Sequence, residues 1–247
     1  MADRDEILAY AAELLDLDAY PDGGPMGMQV AGAREVVRLV CGVSASLELF
    51  ERAGAAGAQM VLVHHGLLWD SAPRVIDDTM RRRLKALIDP EITLAAYHLA
   101  LDAHPEVGNN ALLARKLGVE PVDRFASIGF GGPLSKPASI EEFTVRIREA
   151  LGSEPLVFAH GPERIERAAI ITGGAGRYVA DAAREGYDLF LTGEPGEPTL
   201  HTALELGIHF VAGGHYATER IGIQALTRTL AAEFSLDWEF VDLPNPV

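Results

Sequence analysis

The chain has 247 residues, 48% of them hydrophobic and 23% charged, with a formal net charge of −15. That composition is globular and excludes wholesale disorder and collagen-like structure, and at about 150 residues per domain the length predicts one or two domains. The acidic balance disfavours nucleic acid, or any partner held mainly through its phosphates, and disfavours an anionic membrane surface.

In chain order, the first periodic stretch runs from Glu6 to about Asp16, with Ile7, Leu8, Ala11, Leu14 and Leu15 on one helical stripe and Asp3 or Asp5 placed to cap it. Residues 21–27, PDGGPMG, form a turn-rich loop. Val36–Val40 is predicted as a buried strand, followed by a helix from Ser44 or Ser46 to Ala55 that Gly57 ends. Met60–Val63 is a second apolar strand and runs into His64-His65-Gly66. A basic helix over Arg81–Leu87, a strand over Ile92–Tyr97 ending at His98, and a helix over Asn110–Leu117 closed by Gly118 follow.

Residues 119–139 carry little periodic signal and several glycines and prolines, which places a domain boundary there, with domains at 1–124 and 125–247. Beyond it the pattern predicts a helix at 140–151, strands at 168–172, 188–192 and 208–212, and helices through Glu185, over His201–Leu206 and from Tyr216 to Phe234. A last edge strand is predicted at Trp238–Val241, and the C-terminal helix is free to pack on the first domain. Apolar strands alternating with helices give an α/β class with mostly buried sheets.

The halves echo each other. Strand, glycine, helix, Gly57, strand and His64-His65-Gly66 recur as strand, Gly173-Gly174, helix, Gly186, strand and Thr192-Gly193-Glu194. His98-x-x-x-Asp102 follows one strand and His215-x-x-x-Glu219 follows another, with equal separation between the two histidines and between the two carboxylates. Two echoes in the same order predict an internally duplicated unit.

A single cysteine, Cys41, excludes an internal disulfide and every cysteine-based zinc motif, and fits a reducing interior. The acidic start of the chain lacks a signal-peptide pattern, and no apolar run approaches the roughly 18 residues of a membrane span, so the cytoplasm is expected.

Eight histidines remain, at 64, 65, 98, 104, 160, 201, 209 and 215, and four of them sit just past apolar strands. Ligands of open α/β sheets bind beyond the carboxyl ends of strands. His64-His65 reads either as a satisfied loop pair or as two ligands, and Gly66 lets the chain leave the pleat so that both rings turn one way. His215 and Glu219 share a helix face at a spacing of four, as do His98 and Asp102 if that segment is helical. Asp102 also suits a cap, and His98 suits either a ligand or a neighbour of the ligands. Six such groups exceed one tetrahedral zinc and suit two cations about 3.5–4 Å apart, bridged by a carboxylate and a water.

MGMQVAG (26–32), VHHGLLW (63–69), AYHLALD (96–102), FLTGE (190–194) and GGHYATER (213–220), in this order, resemble the dinuclear-metal-centre family labelled GTP cyclohydrolase I type 2 homologues, or NIF-three-like proteins, in its short form. The resemblance covers nearly the whole chain. It implies a pair of similar α/β domains and two divalent metals held by His64, His65, Asp102, His215 and Glu219, with His98 at or beside the site. Zinc, iron, manganese, cobalt and nickel all suit such donors. It also implies a homohexamer built as a trimer of dimers.

Gly24-Pro25 and Glu197-Pro198 stand where many relatives carry Asp-Asn and His-His, so the cavity lining differs while the ligands persist. The expected activity is metal-dependent hydrolysis of a small polar or phosphorylated molecule, with Glu194 or His98 relaying a proton. A non-enzymatic, metal-binding or regulatory hexamer is the alternative.

Overall fold

The computed structural model describes every residue from Met1 to Val247. In chain order the elements are β1 (Ala2–Asp3), α1 (Arg4–Leu15), β2 (Gly27–Val30), β3 (Glu35–Val36), β4 (Arg38–Ser44), α2 (Leu47–Ala55), β5 (Met60–His65), α3 (Asp78–Ile88), β6 (Thr93–Ala96), α4 (Leu99–Ala103) and α5 (Asn109–Leu117). They continue as β7 (Asp123–Phe125), β8 (Gly129–Ala138), α6 (Ile140–Leu151), β9 (Leu156–Phe158), β10 (Ile165–Ile170), α7 (Val179–Arg184), β11 (Leu189–Thr192), α8 (Thr199–Leu206), β12 (His209–Ala212), α9 (His215–Phe234) and β13 (Asp237–Phe240). No helix is long and apolar enough to cross a membrane.

Two compact units result. Unit 1 comprises Met1–Leu101 and Gly222–Leu243, and unit 2 comprises Asp102–Ile221 and Pro244–Val247. The glycine- and proline-rich stretch 119–139 is therefore part of unit 2, where it forms β7 and β8 at the edge of the sheet. Its glycines hid it as a strand. A Cβ at Gly131 would overlap the Tyr187 hydroxyl, so the missing side chain is what lets that ring lie against the backbone.

Unit 1 carries a five-stranded sheet in the order β13-β4-β5-β6-β2. Strands β13, β4, β5 and β6 run parallel, and β2 is antiparallel to β6. Val40, Val61, Val63, Leu94 and Ala96 on one face pack with Leu49, Phe50 and Ala53 of α2 and Leu87 of α3. Helix α1 starts on the Asp3 side chain, which accepts the Asp5 and Glu6 amides, and α2 starts on Ser46, as capping chemistry requires.

Unit 2 carries a six-stranded sheet in the order β7-β8-β10-β11-β12-β9, with β10, β11 and β12 parallel and β8 and β9 antiparallel to their neighbours. The period of two is visible in its cores. Ala168, Ile170, Leu189 and Leu191 face Leu113, Phe143 and Ile147 of α5 and α6, whereas Ala169, Ile171, Phe190 and Phe210 face Val179, Ala182 and Ala203 of α7 and α8. Helix α6 opens with a capping box of Ser139 and Glu142.

The duplication takes a definite form. Each unit holds three parallel strands in sequential order with helices between them, β4-β5-β6 and β10-β11-β12, and an antiparallel strand beside the third. The other flank differs, being the parallel β13 in unit 1 and the antiparallel β8 in unit 2.

Cys41 lies in β4 with no exposed surface, and burial pushes its thiol up to about 12 despite a hydrogen bond with Thr227. A raised thiol pKa keeps the sulfur protonated and unreactive at neutral pH. Alkylation at pH 8 followed by mass spectrometry is expected to leave the native protein unlabelled and to give one adduct per chain in denaturant.

Candidate metal centre

In unit 1 the last two residues of β5 are His64 and His65, and His98 directly precedes α4. Their ring centroids are 4.7 Å apart for His64–His65, 4.9 Å for His64–His98 and 5.5 Å for His65–His98. One nitrogen from each ring lies within 4.8 Å of the others. The pair of adjacent histidines thus converges while still within the strand.

The loop after them is fixed by side chains. Gln29 accepts the amides of Leu67 at 2.7 Å and Leu68 at 3.0 Å, and donates to the Pro25 carbonyl at 2.8 Å. A Cβ at Gly66 would overlap that amide group. The Trp69 indole donates to the Gly66 carbonyl at 2.9 Å and sets its ring edge-on to His98 at 5.2 Å.

Each ring is held by Nδ1. His64 Nδ1 lies 2.9 Å from the Tyr97 carbonyl oxygen, His65 Nδ1 lies 3.2 Å from the Ser44 hydroxyl, and His98 Nδ1 lies 2.9 Å from an Asp22 carboxylate oxygen. A carbonyl and a carboxylate only accept, so His64 and His98 carry their proton on Nδ1 and present the lone pair on Nε2. Asp22 also accepts the Leu99 and Gly23 amides. Burial alone would raise its pKa, but the His98 and backbone hydrogen bonds outweigh burial and hold the carboxyl below the ordinary aspartate value.

In unit 2, Asp102 lies on α4, with Oδ1 accepting from the Asn109 amide at 2.8 Å and the Thr172 hydroxyl at 3.3 Å. Thr172 is fixed in turn by Asn110, which accepts its backbone amide at 2.7 Å. Both asparagines open α5 and are fully buried.

On the first turns of α9, His215 Nε2 is 3.1 Å from Glu219 Oε2, and His215 Nδ1 donates to Glu194 Oε1 at 2.9 Å. Carboxylate oxygens of Asp102 and Glu219 lie within 4.8 Å of each other, and these two residues are only 3% and 2% exposed. Gly173, at φ +68°, makes room for this cluster, because a Cβ there would overlap Glu219 Oε1.

The hydrogen bond to Glu219 and the charges of Glu219 and Glu194 outweigh burial and raise His215 to about 9. An imidazolium therefore occupies the place of a cation between two carboxylates.

These residues fit divalent metals. Second partners on Nδ1 are the usual support of a metal-bound imidazole, and two buried carboxylates need a cation to offset their desolvation. The remaining characterised rings behave differently. His209 Nδ1 accepts the Gly161 amide while Nε2 meets the Pro162 carbonyl, and His104 Nδ1 accepts the amides of Glu106 and Val107, so these two stabilise loops. Sequence reasoning singled out His64, His65, His98, Asp102, Glu194, His215 and Glu219. It missed Asp22, Ser44 and Gln29, although Asp22 sits in the flagged PDGGPMG turn and Gln29 in the quoted MGMQVAG segment.

Residues 2–246 match the Duf34/NIF3 (NGG1p interacting factor 3) family. The chain belongs to that family. Among its NIF3 relatives, a Pseudomonas aeruginosa protein named GTP cyclohydrolase 1 type 2 homolog is 45% identical over 245 residues, 97% of each chain. A solved structure described as protein ybgI, of unknown function, superposes with a TM-score of 0.96 at 42% identity, covering 99% of this chain and 100% of that one. The structure of TTHA1606 from Thermus thermophilus superposes with a TM-score of 0.92 at 34% identity, covering 99% of this chain and 100% of that one.

For this NIF3 member, Asp22→Asn removes the charged acceptor of His98 Nδ1–H. Zinc affinity, measured by chelator competition, is expected to fall about 10- to 100-fold. Circular dichroism should show the fold retained, and unchanged affinity would remove Asp22 from the site.

Proposed function

We propose that the protein is a metal-dependent hydrolase whose centre takes two divalent cations on His64, His65, Asp102, His215 and Glu219, with His98 beside or among the ligands. The observation that carries the reading is the grip on Nδ1 of His64, His65, His98 and His215 by a carbonyl, a hydroxyl and two carboxylates. Rings held in place by a partner on Nδ1, two of them with the proton fixed there, are the arrangement that a metal on Nε2 requires. The donor sets are complementary. Unit 1 offers imidazoles, whereas unit 2 offers two buried carboxylates that balance cationic charge. The short helix α4 links them in sequence, since it begins after His98 and carries Asp102.

Bound cations would supply Lewis-acid polarisation of the scissile group and an acidified water. The chain supplies orientation and proton handling. Asn109 and Thr172 hold Asp102 Oδ1, and Asp22 holds the His98 proton on Nδ1, which makes Nε2 the basic atom of that ring. Glu194 Oε1 accepts a hydrogen bond from His215 Nδ1–H, and its side chain is 39% exposed, which places it between the ring and solvent as the proton relay. The substrate class we assign is a small polar or phosphorylated molecule. The name carried by the relatives adds GTP to the compounds worth testing.

We also propose self-association as a homohexamer, a trimer of dimers. Leu200 and Leu204, one turn apart on α8, are 40% and 55% exposed in the single chain, and such apolar surface favours burial against a second copy. The single buried Cys41 suits a reducing compartment, and we place the protein in the cytoplasm.

Metal-reconstituted protein assayed against nucleotides, GTP included, and phosphoesters is expected to show metal-dependent turnover that Asp102→Ala lowers at least about 100-fold. Light scattering on the same samples should give six chains in wild type and variant alike. Full metal loading without turnover on any compound would favour the non-enzymatic metal-binding role.

A further inference from the structure

The carboxyl end of β10 carries a basic group that the metal reading leaves unused. Between β10 and α7 the chain reads Thr172-Gly173-Gly174-Ala175-Gly176-Arg177-Tyr178. Loops in this position bind ligands in parallel α/β sheets. This one lies against the ligand cluster of unit 2. A Cβ at Gly174 would stand 3.1 Å from Glu194 Oε1 and 3.8 Å from His215 Cε1, and a Cβ at Gly176 would overlap the Gly196 amide. The missing side chains let the two turns pack together.

Arg177 is exposed, yet its side chain is held in place. Its Nη1 donates to the Gly174 carbonyl at 3.3 Å, and its Nη2 donates to the Tyr178 hydroxyl at 3.3 Å. Its guanidinium carbon lies 4.5 Å from the centre of the Tyr178 ring. These partners fix the guanidinium without neutralising it, whereas Arg148, Arg164, Arg167 and Arg184 of the same unit each meet a carboxylate. Two of the five N–H groups of Arg177 are used, and the rest remain in a planar fork that suits a phosphoryl group. The Tyr178 oxygen accepts from Arg177 and keeps its own O–H to donate.

The surrounding carboxylates are accounted for. Glu194 is engaged by His215 Nδ1–H at 2.9 Å, and Asp181 is paired with Arg184. Glu197 is exposed, where water and salt screen it. Two divalent cations would outweigh the charge of Asp102, Glu194 and Glu219.

We propose, building on the metal-dependent reading above, that Arg177 and Tyr178 hold a phosphoryl group of the substrate beside the metal centre. The substrate is then a phosphorylated molecule, and Arg177 is the residue that selects it. The phosphoryl oxygens take N–H groups of the fork and the Tyr178 O–H. The remainder of the substrate extends over Gly174, which is exposed and has no side chain to block the way to His215.

Phenylphosphonate carries the same group and resists hydrolysis, which makes it a suitable probe. Calorimetric titration of the zinc-loaded full chain is expected to show binding that Arg177→Gln weakens at least about tenfold, the loss of charge-assisted hydrogen bonds. Tyr178→Phe should weaken it about threefold, the loss of one neutral hydrogen bond. Arg177→Lys should recover part of the loss, because it restores the charge without the fork. Zinc content should match the wild type in all three variants. Equal binding by wild type and Arg177→Gln at full zinc occupancy, or no binding by the fully loaded wild type, would overturn the phosphoryl site and leave the metal centre standing. Failure of the wild type to take up zinc would overturn the metal centre and this site with it.

Discussion

The candidate site depends on one repeated constraint, a polar partner placed against Nδ1 of each imidazole. Tyr97 supplies a carbonyl to His64, Ser44 a hydroxyl to His65, Asp22 a carboxylate to His98 and Glu194 a carboxylate to His215. A neutral imidazole has two tautomers of similar energy, and only one directs a lone pair from Nε2. At His64 and His98, where the partner can only accept, fixing the proton on Nδ1 selects that tautomer and the ring orientation together. The two carboxylates add charge, which raises the basicity of the ring they hold. Gln29 and Trp69 extend the same logic to the backbone, because they set the loop that follows His65.

The second constraint is charge. Asp102 and Glu219 are almost completely buried, and their oxygens approach within 4.8 Å of each other. Two ionised carboxylates at that separation repel, and burial makes each more costly. Hydrogen bonds from Asn109 and Thr172 offset part of the cost at Asp102. At Glu219 the compensation comes from His215, whose pKa rises to about 9 for that reason. Gly173 completes the arrangement by leaving space where any side chain would press on Glu219. Local backbone and global electrostatics therefore converge on the same few cubic ångströms.

Much of this was legible in the sequence because the informative residues lie at strand ends. The apolar runs at 60–63, 168–172 and 208–212 mark buried parallel strands, and the histidines and Glu194 follow such runs at the positions where α/β sheets place ligands. Two helix starts were legible too, since Asp3 and Ser46, each one of two candidates, cap where their residue types predict. Strand β8 was not, because Gly131, Gly132, Pro133 and Pro137 read as a linker. There the missing side chain serves the Tyr187 ring across the sheet, which is tertiary information. Asp22 and Gln29 were hidden for a related reason. Their partners, His98 and the loop at Leu67, are distant in sequence, and a carboxylate in a turn looks the same whether it caps the turn or orients a ligand.

The duplication clarifies what the fold keeps and what it leaves free. His98 and His215 occupy equivalent slots, each just after the third parallel strand of its unit and each four residues before a carboxylate. Their Nδ1 partners are carboxylates in both cases, yet they come from different places. Asp22 stands in the loop before the antiparallel β2, whereas Glu194 stands in the turn after the middle parallel strand β11. Simple copying of one ancestral unit would carry the support along with the ring. Two solutions to the same demand imply that the demand itself, a carboxylate on Nδ1, constrains the structure more strongly than the ancestry of the residue that meets it.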